Sequence, residues 1–155
     1  MASMVFLNRG VLLGAYPETE SDWDILLNRH RSVADVVLTE GSRCRVHYTL
    51  FNESGFPEPA IPSLDWSARR AQHYQDDQTL YTQSAVTTWS FEAFRPWIIR
   101  CAEDKLGWIS FHSMDTDAIY SPYDGGADIF SLDVSFLVNM KSTFVDWKSP
   151  HPTGT

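Results

Sequence analysis

A chain of 155 residues with 20 acidic and 12 basic side chains carries a formal charge of −8. That balance repels phosphate backbones and anionic lipid surfaces, so it speaks against a nucleic-acid binder and against a membrane-surface protein. The longest apolar runs fall far short of the ~18 residues of a membrane span, and the length points to one domain over 1–155.

Residues 4–16 are apolar and punctuated by Gly10 and Gly14, which fits a short strand or a packed loop. Thr19 or Ser21 can cap a helix whose first turn carries Glu20, Asp22 and Asp24 near the positive end of the dipole. Trp23, Leu26, Leu27, His30, Val33, Val36 and Val37 recur at three- and four-residue steps, which predicts one buried helical face. Gly41 stops that helix. From Arg43 onward the pattern alternates. Cys44, Val46, Tyr48 and Leu50 fall on one side, and Arg43, Arg45, His47 and Thr49 on the other, which predicts a half-buried strand. Residues 52–62 hold Pro57, Pro59, Pro62 and Gly55 and read as a loop.

Residues 64–77 are a short helix or a connection, and 79–88 a strand. Ser90 is placed to cap a helix that buries Phe91, Phe94, Trp97, Ile98 and Cys101, with Pro96 marking either its true start or a kink. Strands over 108–113, 118–123 and 127–132 form a meander, joined by turns at Met114-Asp115-Thr116-Asp117 and Asp124-Gly125-Gly126. Asp133 caps a last helix with Phe136, Leu137, Met140 and Phe144 inward, and the tail from about 149 to 155 is expected to fray. The expected fold is α+β: a mostly antiparallel sheet of about four or five strands with two or three helices on one face.

The segment Tyr120-Ser121-Pro122-Tyr123-Asp124-Gly125-Gly126-Ala127-Asp128-Ile129-Phe130 is the most legible local unit, because Asp-Gly and Gly-Gly supply the positive φ of a tight hairpin. Residues 119–147 resemble the C-terminal part of a widespread bacterial family of uncharacterised small proteins. In that family a Tyr-Asp-Gly turn and an Asp-(Ile/Val) strand lead into a closing helix that ends in tryptophan. The resemblance implies the hairpin–helix ending and no particular chemistry.

Catalytic signatures are missing: there is no Gly-x-Ser-x-Gly, phosphate loop, His-Glu-x-x-His or dinucleotide fingerprint, and no cofactor is expected. Cys44 and Cys101 lie among apolar neighbours with no zinc spacing and are expected as buried thiols in a reducing cytoplasm. Asp115, Asp117, Asp124 and Asp128, with His112, form the one carboxylate group that a metal or an acid–base pair could use. Aspartate is also a favoured turn residue for its own hydrogen bonds, and the two turns of a meander sit at opposite ends of its middle strand. The five histidines are scattered, and His47 and His112 gain interest only if they meet across a sheet.

Six tryptophans exceed what a small core requires, so some are expected at a recognition surface. The candidates are aromatic and acidic residues in two clusters: Trp66, Tyr74, Asp76 and Asp77, and then Asp115, Asp117, Tyr123, Asp124 and Asp128. Aromatic anchors with an acidic rim suit a basic protein partner, with neither nucleic acid nor membrane involved. The expected role is therefore an immunity protein that plugs a secreted bacterial toxin with a basic toxin domain. The alternatives are a hydrolytic enzyme using the aspartate group and a phage-type inhibitor that mimics nucleic acid.

Overall fold

A computed structural model describes residues 3–7, 17–51, 64–73, 79–123 and 126–147, with the backbone alone for 3–7 and for Phe51. In chain order the elements are β1 (Ser3–Leu7), α1 (Glu20–Leu38), β2 (Arg43–Phe51), β3 (Arg70–His73), β4 (Thr79–Thr88), α2 (Phe91–Ala102), β5 (Trp108–Ser113), β6 (Ile119–Tyr123), β7 (Gly126–Ser131) and α3 (Val134–Thr143), then a 3-10 turn (Val145–Trp147). All the strands join one seven-stranded sheet in the order β1-β7-β6-β5-β2-β4-β3. Every pairing is antiparallel. The α+β expectation holds, and the sheet is wider than the expected four or five strands because β1 and β3 each add an edge.

The strands alternate as the sequence requires. Cys44, Val46 and Tyr48 of β2, Ile109 and Phe111 of β5, Tyr120 of β6 and Ala127 and Ile129 of β7 are buried beneath the helices. Trp89, which is fully buried, stacks on Phe94 at 5.4 Å and meets Phe111 edge-on at 4.9 Å. Trp97 stacks on Trp66 at 6.2 Å. The aromatic surplus therefore goes largely into the core. Both cysteines are buried and free, as expected.

Local signals place the helix ends. Thr19 accepts from the Asp22 amide, and Asp22 accepts from the Thr19 amide, a reciprocal capping box for α1. Leu26, Leu27, His30, Val33, Ala34, Val37 and Leu38 form the buried stripe. Val36, expected inward, is 44% exposed, because Ala34 and Leu38 complete the seam instead. Asp133 caps α3 through the Ser135 and Phe136 amides. Ser90 makes no side-chain cap, and the α2 amide of Phe91 donates instead to Glu40 Oε2 at 3.0 Å from the distant α1–β2 turn. α2 starts at Phe91 and runs through Pro96, so the proline does not mark its start. The stretch expected as a helix or connection contains β3, an edge strand with four exposed residues.

Candidate functional site

The helices cover one face of the sheet. The other face is built from the alternate residues of each strand, and the register fixes their rows. His47 lies opposite Ser110 on β5 and Ser84 on β4. Arg45 lies opposite His112 and Val86, Thr49 opposite Trp108 and Thr82, and Arg70 opposite Thr82. Beyond β5, His112 is opposite Ile119, Ile119 opposite Phe130, and Ser121 opposite Asp128. Trp108 is 58% exposed and Val86 42% exposed. The described strands contain neither lysine nor glutamate.

At the centre of this face the His47 and His112 rings lie 6.4 Å apart, inclined by 30°. The condition set by the sequence, that the two meet across a sheet, is satisfied. His112 Nε2 donates to Asp117 Oδ1 at 2.5 Å. Asp117 reaches it from the β5–β6 turn with φ 55°, a left-handed conformation that aspartate tolerates better than most residues. Burial lowers the pKa of His47 below its ordinary value of 6.5, and the neighbouring His112 and Arg45 charges lower it further. Arg45 is exposed and makes no ion pair among the described residues.

Asp128, further along the face, is half-buried. Burial raises its carboxyl to about 6, and Oδ1 has no hydrogen-bond partner among the described residues. Asp117 lies ahead of Ile119 and Asp128 is opposite Ser121, so the two are separated along β6 by roughly 10 Å or more. Among the described residues no three His, Cys, Asp or Glu side chains converge as a metal site would require.

Of the residues expected at a recognition surface, the described ones are dispersed. Trp66 is half-buried and packs on Trp97 beneath the helical layer. Tyr123 and Asp128 belong to the open face, and Asp115 and Asp117 are exposed at its β5–β6 turn. Tyr74, Asp76, Asp77 and Asp124 lie outside the described residues. Further exposed carboxylates, Glu18, Glu20, Asp24, Asp35 and Glu92, lie on the helical layer and its N-terminal lead-in. Sequence reasoning passed over Arg45 and Trp108 as surface residues. The alternation of β2, which already put Arg45 and His47 on one side, was the available signal.

Residues 14–152 match the family model of a domain of unknown function, DUF3885. The chain belongs to the DUF3885 family. The match takes in residues 119–147 together with the chain from residue 14 that precedes them. No curated protein and no solved structure matches this DUF3885 chain. Among its described residues no helix is long and apolar enough to cross a membrane.

Proposed function

We propose that this DUF3885 protein is an interaction protein that docks through the open face of its sheet, and that its role is that of an immunity protein blocking a secreted bacterial toxin. The observation that carries the docking reading is the make-up of that face. Trp108, Tyr123, Phe130 and Ile119 share it with Arg43 and Arg45, while lysine and glutamate are missing from the described strands. Aromatic residues and arginine are enriched at protein interfaces and lysine and glutamate depleted, so this composition is that of a contact surface rather than of a merely solvated one.

The overall charge of −8 supports the second half of the reading. It speeds encounter with a basic toxin domain through long-range attraction, while the contacts themselves are made by the mixed open face. The charge of the chain as a whole supplies the field, and the sheet supplies the fit.

The test is co-expression with the toxin candidate recovered by affinity capture from the source bacterium. Capture counts only if the partner is toxic alone and relieved by this protein. A Trp108→Ala/Ile119→Lys variant should lose both capture and relief, and Asp24→Lys on α1 should keep them. Relief that survives the sheet-face variant, or a partner with no toxicity, would overturn the reading.

A further inference from the structure

We propose that Arg45, His47 and His112 form an oxyanion-binding site at the centre of the open face. The source of the anion, a group on the docking partner, rests on the docking reading above.

Three cationic or protonatable side chains meet here on a chain with eight more acidic than basic residues. Arg45 is directly opposite His112, and His47 is its diagonal neighbour, with the two rings 6.4 Å apart. Positive charge on His112, directly opposite Arg45, destabilises an antiparallel pair, and Asp117 offsets it at His112 but not at Arg45 or His47. The fold had carboxylates available, yet among the described residues only Asp117 approaches, and it engages His112 alone. Among the described residues nothing pairs with the Arg45 guanidinium, whose donors suit a planar or tetrahedral oxyanion.

The bond to Asp117 also orients the site. With Nε2–H of His112 given to Asp117, Nδ1 is the ring nitrogen left for a ligand. Around His47 the charged and titratable groups are Arg45 on its own strand and His112 on β5, with Asp117 behind His112; β4 contributes only Ser84, Val86 and Thr82. An anion between these groups relieves the repulsion and favours the imidazolium form of His47, which burial and the neighbouring charges otherwise disfavour. Binding therefore strengthens as pH falls.

The experiment is a titration of the full chain with sulfate, whose charge is constant over the range used, followed by NMR of the imidazole signals at pH 6.0 and 7.5. The expected result is a saturable shift of His47 and His112, with His30 and His73 unmoved and binding at least about threefold tighter at pH 6.0. Arg45→Gln, an exposed substitution, should weaken it at least fivefold, and His47→Gln should do the same. A parallel titration with acetate names the source: comparable binding supports a carboxylate of the partner, and preference for sulfate supports a phosphate-like group. No saturable shift of either ring, or equal binding by Arg45→Gln, would overturn the site. Sulfate binding depends on no partner, so a missing toxin and a missing anion site are separable outcomes.

Discussion

The hydroxyl of Tyr120 lies 2.7 Å from Nδ1 of His30, joining α1 to the middle of the sheet inside the core. The imidazole is fully buried and its Nε2 has no partner among the described residues. A second proton on the ring would have no acceptor there, and burial lowers its pKa from 6.5 to about 4. In the unfolded chain the ring protonates near 6.5 and in the fold only near 4, so the unfolded state takes up the proton first. Stability contributed by the neutral ring is complete above 6.5, falls as pH drops through the window down to about 4, and stays lost below it. The depression corresponds to roughly 3 kcal/mol. Thermal unfolding measured from pH 7.5 to 4 should show this loss in the wild type, and His30→Gln, which cannot titrate, should flatten it. A profile unchanged by His30→Gln would refute the assignment.

Asp128 titrates in the opposite sense. Burial raises its carboxyl from 3.8 to about 6, so over that window the fold holds the proton more tightly than the unfolded chain. This contribution is lost as pH rises through about 6. The side chain is only half-buried, which reduces the expected gain to about 1 kcal/mol after solvent screening. Asp128→Asn should therefore raise the melting temperature at pH 7.5 and leave it nearly unchanged at pH 4. An equal rise at both values would mean that packing, and not ionisation, is responsible.

Elements with strong local signals were legible in the residues. The alternation of Cys44, Val46 and Tyr48, the helical spacing of Leu26, His30, Val33 and Val37, and the Asp133 cap each appear where expected. β3 was not legible, because Arg70-Ala71-Gln72-His73 has neither alternation nor β-branched residues. It is extended through pairing with β4, where Gln72 meets Leu80. The site was half legible. Sequence set Arg45 and His47 on one side of a strand, but their approach to His112 depends on the long-range pairing of β2 with β5, which places Arg45 opposite His112 and which no local pattern encodes. Of the residues expected at a recognition surface, Trp66 packs against the core and Tyr123 lies on the open face, a division that the sheet sets and no local pattern encodes.

Glu40 acts at a distance of 51 residues in sequence as the cap of α2, because Ser90 leaves the Phe91 amide to its carboxylate. Its charge also sits at the positive end of the helix dipole. Glu40→Ala should cost about 1 kcal/mol in urea unfolding, and Ser90→Ala only a few tenths. If Ser90→Ala proves the costlier change, the helix is capped locally and the long-range cap is wrong.

Gly107, immediately before Trp108 at the start of β5, separates two reasons why a glycine is needed. A Cβ there would lie 2.6 Å from the Thr49 carbonyl oxygen and 3.0 Å from Leu50 Cδ2. The first is backbone of β2, which cannot yield without disturbing the β2–β5 ladder at the Thr49–Trp108 pair. Gly41 is the contrast: a Cβ meets nothing within 4 Å, but its φ of +83° strains any other residue. Gly41→Ala should therefore cost about 1 kcal/mol through conformation alone. Gly107→Ala should cost about 2–3 kcal/mol through overpacking. It should also shift Trp108, so the indole fluorescence of the still-folded variant should change and docking weaken, while Gly41→Ala leaves both untouched. Equal stability costs, with Trp108 unmoved, would show that the β2–β5 approach is looser than the register implies, and the site built across it less rigid.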